Sequence, residues 1–181
     1  LVGLLGHTGY AEVSPRVDGR ESPLLLLGLA FVVVGIGFKL AAVPAHSWLP
    51  DVAEGAPAPA AAFLTVVPKI GAAIALARLV DLFPDHSVPI RPLVAALAAA
   101  TMTLGNLSAL WQDDVRRLVG WSSVSQSGYA LMAVCVVGLS ASALPALLFF
   151  LLGYAAANLT AFAVVAHLRG RTALGAYAGL S

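Results

Sequence analysis

Charge is scarce in this sequence. Only 10% of its 181 residues are Asp, Glu, Lys or Arg, ten basic against nine acidic, for a formal net charge of +1. So small and balanced a charge supplies no basic field for nucleic acid and no acidic tail for a basic partner. Cysteine is nearly absent: Cys135 stands alone in the apolar run "LMAVCVVGL". It can form no disulfide within the chain and reads as a small buried hydrophobe. Catalytic signatures are missing too, with neither H-E-x-x-H nor G-x-S-x-G, and "HSWLPD" offers a single histidine with an aspartate five residues on. That argues against an intramembrane hydrolase. The opening "LVGLLG" has no basic stretch before it and no initiating methionine, so it reads as the tail of an earlier helix rather than a signal peptide. The expectation is a piece of a longer polytopic protein.

What the sequence does have is apolar length. Hydrophobic residues make up 60% of the chain and the mean hydropathy is +0.91, values that belong to membrane proteins. Crossing a hydrocarbon core takes about 20 apolar residues. Five stretches qualify as candidates, at 24–50, 59–83, 92–111, 117–140 and 144–168. Unpaired backbone is so costly in lipid that each is expected to be helical. The fold expected is an all-α polytopic membrane bundle over 23–171, preceded by a helix end and extramembrane loop (1–22) and followed by a C-terminal loop segment (172–181). Short connections at 51–58, 84–91, 112–116 and 140–142 make consecutive helices antiparallel. Arg116, Arg117, Arg169 and Arg171 fall on one side of the membrane, against Arg16, Arg20 and Arg91 on the other. This bias makes the first side cytoplasmic. Bacterial plasma membrane is the expected location, with the lipid bilayer as first partner and no nucleic acid.

Two lysines interrupt the apolar runs. Lys39 is 12 residues before Asp51, about 18 Å along one continuous helix. Lys69 is 10 residues after Pro59, about 15 Å by the same rise. Both amines are therefore expected near mid-membrane, facing one interior. A cation there costs on the order of 2.5 to 3.5 kcal/mol on insertion scales, which makes an intramembrane lysine a functional candidate. Snorkelling is excluded because the interface lies beyond the reach of the stem. The five spans hold no acid in their interiors, so two readings stay open. The lysines either line a hydrated polar path or pair structurally with an acid elsewhere.

Proline and polar residues extend the pattern. Pro44 cannot donate to the Leu40 carbonyl, nor Pro68 to that of Leu64, so each frees a backbone acceptor near a lysine. Irregular backbone of this kind is tolerated at depth where it lines a hydrated cavity. An amine loses proton affinity in dry surroundings and gains it beside a carboxylate, so a movable negative charge would switch it between loaded and empty. His46 is a candidate relay toward the cytoplasmic end, or an interfacial histidine bonded to backbone. Ser122, Ser123 and Gln126 in the fourth span, with Tyr154 and Asn158 four residues apart on one face of the fifth, form a candidate polar path. They serve equally as bonds between helices.

The order of these motifs resembles a known family. "GFKLAAVPAHSWLPDVAEGAPAPAAAFLTVVPKIGAAIALARL" (37–79) and "MTLGNLSALWQDDVRRLVGWSSVSQSGYALM" (102–132) resemble the antiporter-like subunit N of respiratory complex I, the proton-pumping NADH:quinone oxidoreductase. The resemblance covers essentially the whole chain. It implies an inverted-repeat subunit of roughly 14 helices, of which these would be the seventh to eleventh. Lys39 would match the lysine of the family's broken seventh helix, which pairs with a glutamate of the fifth, and Lys69 the central lysine of the eighth. NADH, flavin, iron–sulfur clusters and quinone would belong to partner subunits, with no cofactor and no metal held by this chain. The family pattern has Tyr and His in Y-S-S-I-A-H-A-G-Y where this chain has Trp121 and Gln126. An amide does not titrate near neutral pH, so a relay histidine is replaced here.

The function so implied is proton translocation as a membrane subunit of a translocase, coupled to quinone reduction elsewhere and carried by Lys39, Lys69 and His46. Two rivals stand beside it: a homologous subunit of a multisubunit cation/proton antiporter or membrane-bound hydrogenase, and a non-conducting membrane scaffold.

Overall fold

A computed structural model describes residues 23–83, 89–168 and 171–177 of the chain. The loop expected over 1–22, most of 84–91, Arg169 and the end of the chain beyond 177 lie outside the described residues. Among the described residues six helices follow one another: α1 (Pro23–Leu40), α2 (Trp48–Gly55), α3 (Ala58–Leu82), α4 (Ile90–Ala109), α5 (Val115–Cys135) and α6 (Ala143–His167), with a 3-10 turn at Leu174–Tyr177. The molecule is an all-helical bundle, as its composition requires. Helices α3, α4 and α6 are long and apolar enough to cross a membrane. Helix α5 has 21 residues, but its arginines, serines and Gln126 dilute its apolar character.

The first apolar run differs from its expected form. Helix α1 stops at Leu40, short of a span reaching 50, and Trp48–Gly55 is helical where a connection was expected over 51–58. The extrapolated depth of Lys39 along one helix therefore does not apply, and Lys39 lies in the last turn of α1. Ala41 takes a positive φ of 54°, a left-handed conformation that a residue with a Cβ adopts only when its surroundings impose it. Distant side chains supply what the uncoiled backbone needs. The Val43 N–H donates to Thr101 Oγ1 at 3.0 Å and Trp48 Nε1 to the Phe38 carbonyl at 3.0 Å. Ser127 Oγ reaches the Leu40 carbonyl that Pro44 leaves without a helical donor. Pro68, by contrast, stays inside an unbroken α3.

Close contacts at glycine set the remaining packing. A Cβ on Gly128 would fall 2.6 Å from the Met102 nitrogen, and one on Gly105 2.6 Å from the Ser125 nitrogen. Helices α4 and α5 thus run antiparallel with their backbones in near contact, as small residues permit in membrane proteins. Gly120 brings α5 equally close to Pro50 of α2. Helices α3 and α6 meet through Ala61, Ala62 and Phe162. The main apolar core lies among α1, α3, α4, α5 and α6, centred on side chains such as Leu40, Leu76, Val94, Leu131 and Leu147.

Candidate functional site

Lys69 sits near the middle of the 25-residue α3 and is 2% exposed. The side chains that receive it come from α5 and α6. Its Nζ donates to the carbonyl of Ser123 and, at 2.9 Å, to Ser123 Oγ. Ser123 Oγ in turn bonds the hydroxyl of Tyr154. The Tyr154 hydroxyl donates to the Thr65 carbonyl at 2.7 Å and accepts from Asn158 Nδ2 at 2.7 Å. A phenol carries one hydrogen. With that hydrogen committed to Thr65, the Ser123 hydroxyl is the donor to Tyr154, and its oxygen is left to accept from Lys69. The chain Lys69, Ser123, Tyr154, Thr65 therefore has a single direction of donation. The ammonium also stands 5.5 Å from the centre of the Tyr154 ring, within cation–π range.

No carboxylate compensates either lysine within 4 Å among the described residues. The ion pairs found there join Arg117 to Asp51 at 2.8 Å and to Glu54 at 2.7 Å. Two cavities flank the Lys69 chain. A void of about 10 Å³ is lined by Leu40, Lys69, Gln126, Ser127, Phe150 and Tyr154 among others. A groove of about 600 Å³ between α5 and α6 is lined by Ser122, Ser123, Gln126, Phe150, Tyr154 and Asn158 among others. Gln126, Phe150 and Tyr154 belong to both. Asn158 is 7% exposed, and its Oδ1 has no hydrogen-bond partner among the described residues.

The residues expected to form a polar path thus converge on one lysine. Lys69, Ser123, Tyr154 and Asn158 are bonded in series, Gln126 borders them, and Ser122 lines the groove as an exposed side chain. Lys39 does not join them. It is exposed and lines a separate groove of about 650 Å³ between α1 and α3, with Phe38, Trp48 and Pro68. The expectation that both amines face one interior is not met, because Lys39, still in the last turn of α1, occupies the face of that helix on the groove side. Leu40 turns inward to the Lys69 void while its neighbour Lys39 faces the other way. His46 lies in the uncoiled stretch beside Pro44, its ring 5.6 Å from that of Trp121. Its Nδ1 and Trp121 Nε1 are both buried without a hydrogen-bond partner among the described residues.

Thr65 and Thr101 take part in these hydrogen bonds and were not singled out. Thr65 had a signal, since it lies four residues before Lys69 and so on the same face. Thr101 had only the oddity of a hydroxyl within "AATMTLG".

At the end of the bundle nearest α2, charged groups tie elements together. Arg116 Nε donates to the Ala53 carbonyl at 3.0 Å and its guanidinium also to that of Ala56, closing the C-terminal end of α2. Asp114 caps α5, accepting from the Arg116 N–H at 2.8 Å and the Arg117 N–H at 3.0 Å. Partial burial pushes the Asp114 carboxyl up. The Thr172 hydroxyl, the two backbone donors and the Arg116 charge outweigh it and hold the group below its ordinary range.

Comparison with known proteins bears on this geometry. The family model described as NADH:quinone oxidoreductase/Mrp antiporter, TM, matches residues 2–181. A protein of Mycobacterium sp. (strain JLS) named NADH-quinone oxidoreductase subunit N is 50% identical over all of this chain, which spans 38% of that relative. A Streptomyces griseus protein named NADH-quinone oxidoreductase subunit N 1 is 48% identical over 92% of this chain and 36% of its own length. Among solved structures, a chain of respiratory complex I from Thermus thermophilus is 37% identical, with a TM-score of 0.69 over 82% of this chain and 32% of its own. A chain of an archaeal membrane-bound sulfane sulfur reductase shares the fold, with a TM-score of 0.82 over 92% of this chain and 34% of its own at 24% identity.

Proposed function

Because the chain belongs to the NADH:quinone oxidoreductase/Mrp antiporter transmembrane family, we propose that it is part of a proton-translocating membrane subunit of an NADH-quinone oxidoreductase. Quinone reduction, NADH oxidation, flavin and iron–sulfur chemistry are assigned to partner subunits. This chain supplies intramembrane amines that take up and release protons. The observation that carries the reading is Lys69: a cation in the middle of a membrane helix, bonded to a directed series of hydroxyls with no carboxylate against it among the described residues. A structural ion pair would place an acid against it. A series of neutral hydroxyls beside a cavity suits an amine that must give its proton away, because neutral acceptors hold the charged form less firmly than a carboxylate would.

Lys39 has a complementary role in this reading. Exposed in the groove between α1 and α3, it is open to a carboxylate from elsewhere in the longer protein, and His46 lies seven residues on toward the side carrying Arg116 and Arg117. A charge arriving near Lys39 would alter its proton affinity and bias exchange at Lys69. The bacterial plasma membrane is the location that goes with this assignment.

Replacing Lys69 tests it. In the assembled complex, Lys69→Ala lowers the protons moved per quinone reduced by about tenfold or more, the scale on which a positioned proton-transfer group acts. Lys69→Arg does not restore them, since a guanidinium keeps its charge but scarcely surrenders its proton. Rescue by arginine would make Lys69 a structural cation, and unaltered pumping in both variants would leave the scaffold reading. Co-purification with antiporter or hydrogenase subunits in place of peripheral NADH-oxidising ones would move the chain to another branch of the family.

A further inference from the structure

Two polar atoms are sealed into the bundle near each other without a partner. His46 Nδ1 and Trp121 Nε1 are both buried and bond to nothing among the described residues, while their rings stand 5.6 Å apart at an angle of 52°. A buried polar group left unpaired keeps the whole cost of having lost its water. Solvent does not supply the missing bond, because neither atom is open to it. The charged groups on the surrounding elements are engaged elsewhere. Arg117 of α5 is bonded to Asp51 and Glu54 of α2, Arg116 to the Ala53 and Ala56 carbonyls, and Lys39 lines the groove between α1 and α3. Thr101 of α4 is neutral and is spent on the Val43 N–H and the Leu97 carbonyl. What remains for each orphan is the other. Packing holds them together: Gly120 lets α5 approach Pro50 and Ala53 of α2, and Val124 packs with Ala41 and Leu49, so the indole is pressed against the uncoiled stretch.

We propose that Trp121 is a positioning residue for His46: its indole N–H holds Nδ1 as an acceptor, so that His46 presents Nε2–H as a fixed hydrogen-bond donor and carries no proton itself. The proposal rests on the proton-moving reading above and, within it, leaves the carrying of protons to the lysines. An indole N–H only donates, and a neutral imidazole has one nitrogen that only accepts. Turning the His46 ring about its Cβ–Cγ bond, a torsion with a broad well, sets Nδ1 on the indole hydrogen and satisfies both atoms. The bond also decides where the imidazole keeps its own hydrogen. With Nδ1 accepting, that hydrogen is on Nε2, which is not among the sealed atoms and is free to meet an oxygen acceptor. A second proton would have to enter at Nδ1, where it would face the indole hydrogen, donor against donor.

The test compares assembled complexes in sealed vesicles, reading protons moved per quinone reduced from pH 5.5 to pH 8.5. His46→Met removes the donor at similar size and is expected to lower the ratio at least threefold. His46→Gln returns an N–H without a nitrogen that titrates, and is expected to recover more than half of the wild-type ratio. Trp121→Phe withdraws the indole hydrogen and frees Nδ1, so a step enters the profile near pH 6.5, the ordinary imidazole value. That step is absent from Trp121→Phe combined with His46→Gln. Trp121→Tyr, whose hydroxyl accepts as well as donates, decides in the same way if Trp121→Phe does not assemble. A His46→Gln ratio as low as that of His46→Met would mean that the imidazole itself must carry a proton, and overturns the proposal. A wild-type ratio in His46→Met, or Trp121 variants without the new step, also overturns it. Lys69→Ala run alongside separates the two levels: normal pumping there removes the proton-moving reading and this proposal with it, whereas loss there with failure at His46 or Trp121 removes this proposal alone.

Discussion

At Lys69 the burial of a charge is made tolerable by oxygen atoms that carry no charge themselves. Removing a buried ion costs little if its partners can return to water, but here the partners are packed between α3, α5 and α6 and cannot. Tyr154 is the residue on which most of them depend, since its hydroxyl serves Thr65, Asn158 and Ser123 together. Tyr154→Phe keeps the ring and removes only the oxygen, leaving the Ser123 hydroxyl hydrogen and Asn158 Nδ2 short of a partner while the Thr65 carbonyl keeps its helical donor. Each buried unsatisfied group costs about 1–3 kcal/mol. The expected result is a fall in the thermal unfolding midpoint of the detergent-solubilised protein larger than for an exposed control such as Leu152→Ala. A fall no larger than the control's would mean that the hydroxyl is not integral to the core. The sequence exposed this site in part. Lysine at mid-helix is conspicuous because of its cost, and the four-residue spacing of Tyr154 and Asn158 is legible as a shared face. The linkage between the two is not, because Ser123 lies 54 residues from Lys69 and 31 from Tyr154, and local spacing says nothing of such pairings.

At the scale of elements, the two prolines make the instructive pair. Both were expected to free a carbonyl near a lysine, yet α3 continues through Pro68 while the first run ends four residues before Pro44. The difference lies in neighbours. Thr101 of α4 and Ser127 of α5 offer the hydrogen bonds that the open backbone at 41–43 requires, and hydropathy cannot register them because Ala41, Ala42 and Val43 are as apolar as the helix before them. Thr101→Val is nearly isosteric and withdraws the acceptor from the Val43 N–H. It is expected to destabilise by about 1–3 kcal/mol, seen as faster hydrogen exchange confined to residues 41–47. Unchanged exchange there would mean that the break holds without Thr101. Asp114 at the start of α5 yields a pH effect of definite sign. Its carboxyl is held below the ordinary value of 3.8 in the folded chain, so its contribution is complete above about pH 4 and disappears as pH falls through the lower folded value. Asp114→Asn keeps a capping oxygen but should flatten that acid-side decline in thermal denaturation curves taken between pH 3 and pH 6. Parallel curves for the two proteins would show that the cap, not the charge, is what matters.

For the whole molecule, large apolar side chains face outward, among them Trp111 (84% exposed), Phe149 (80%) and Phe31 (70%), so the bundle is built for lipid or for further helices. The class of fold was readable from composition alone because lipid leaves so few choices. The subdivision of its first span was not. The arginines at the start of α5 predict that this end faces the cytoplasm. In a Cys135→Ala background, Asp113→Cys is expected to react with a membrane-impermeant maleimide in inverted vesicles and Ser140→Cys in right-side-out ones, both parent residues being exposed and at opposite ends of α5. The reverse pattern would turn the molecule over. The early end of α1 has one more effect. An aligned column of peptide dipoles terminates beside Lys39, in its last turn, with the equivalent of roughly half an electron's charge at that end. Lys39 therefore carries a permanent, backbone-made counter-ion that no protonation can discharge. The field of any mobile acid adds to this fixed one, so its arrival and departure swing Lys39 about an offset that the backbone sets.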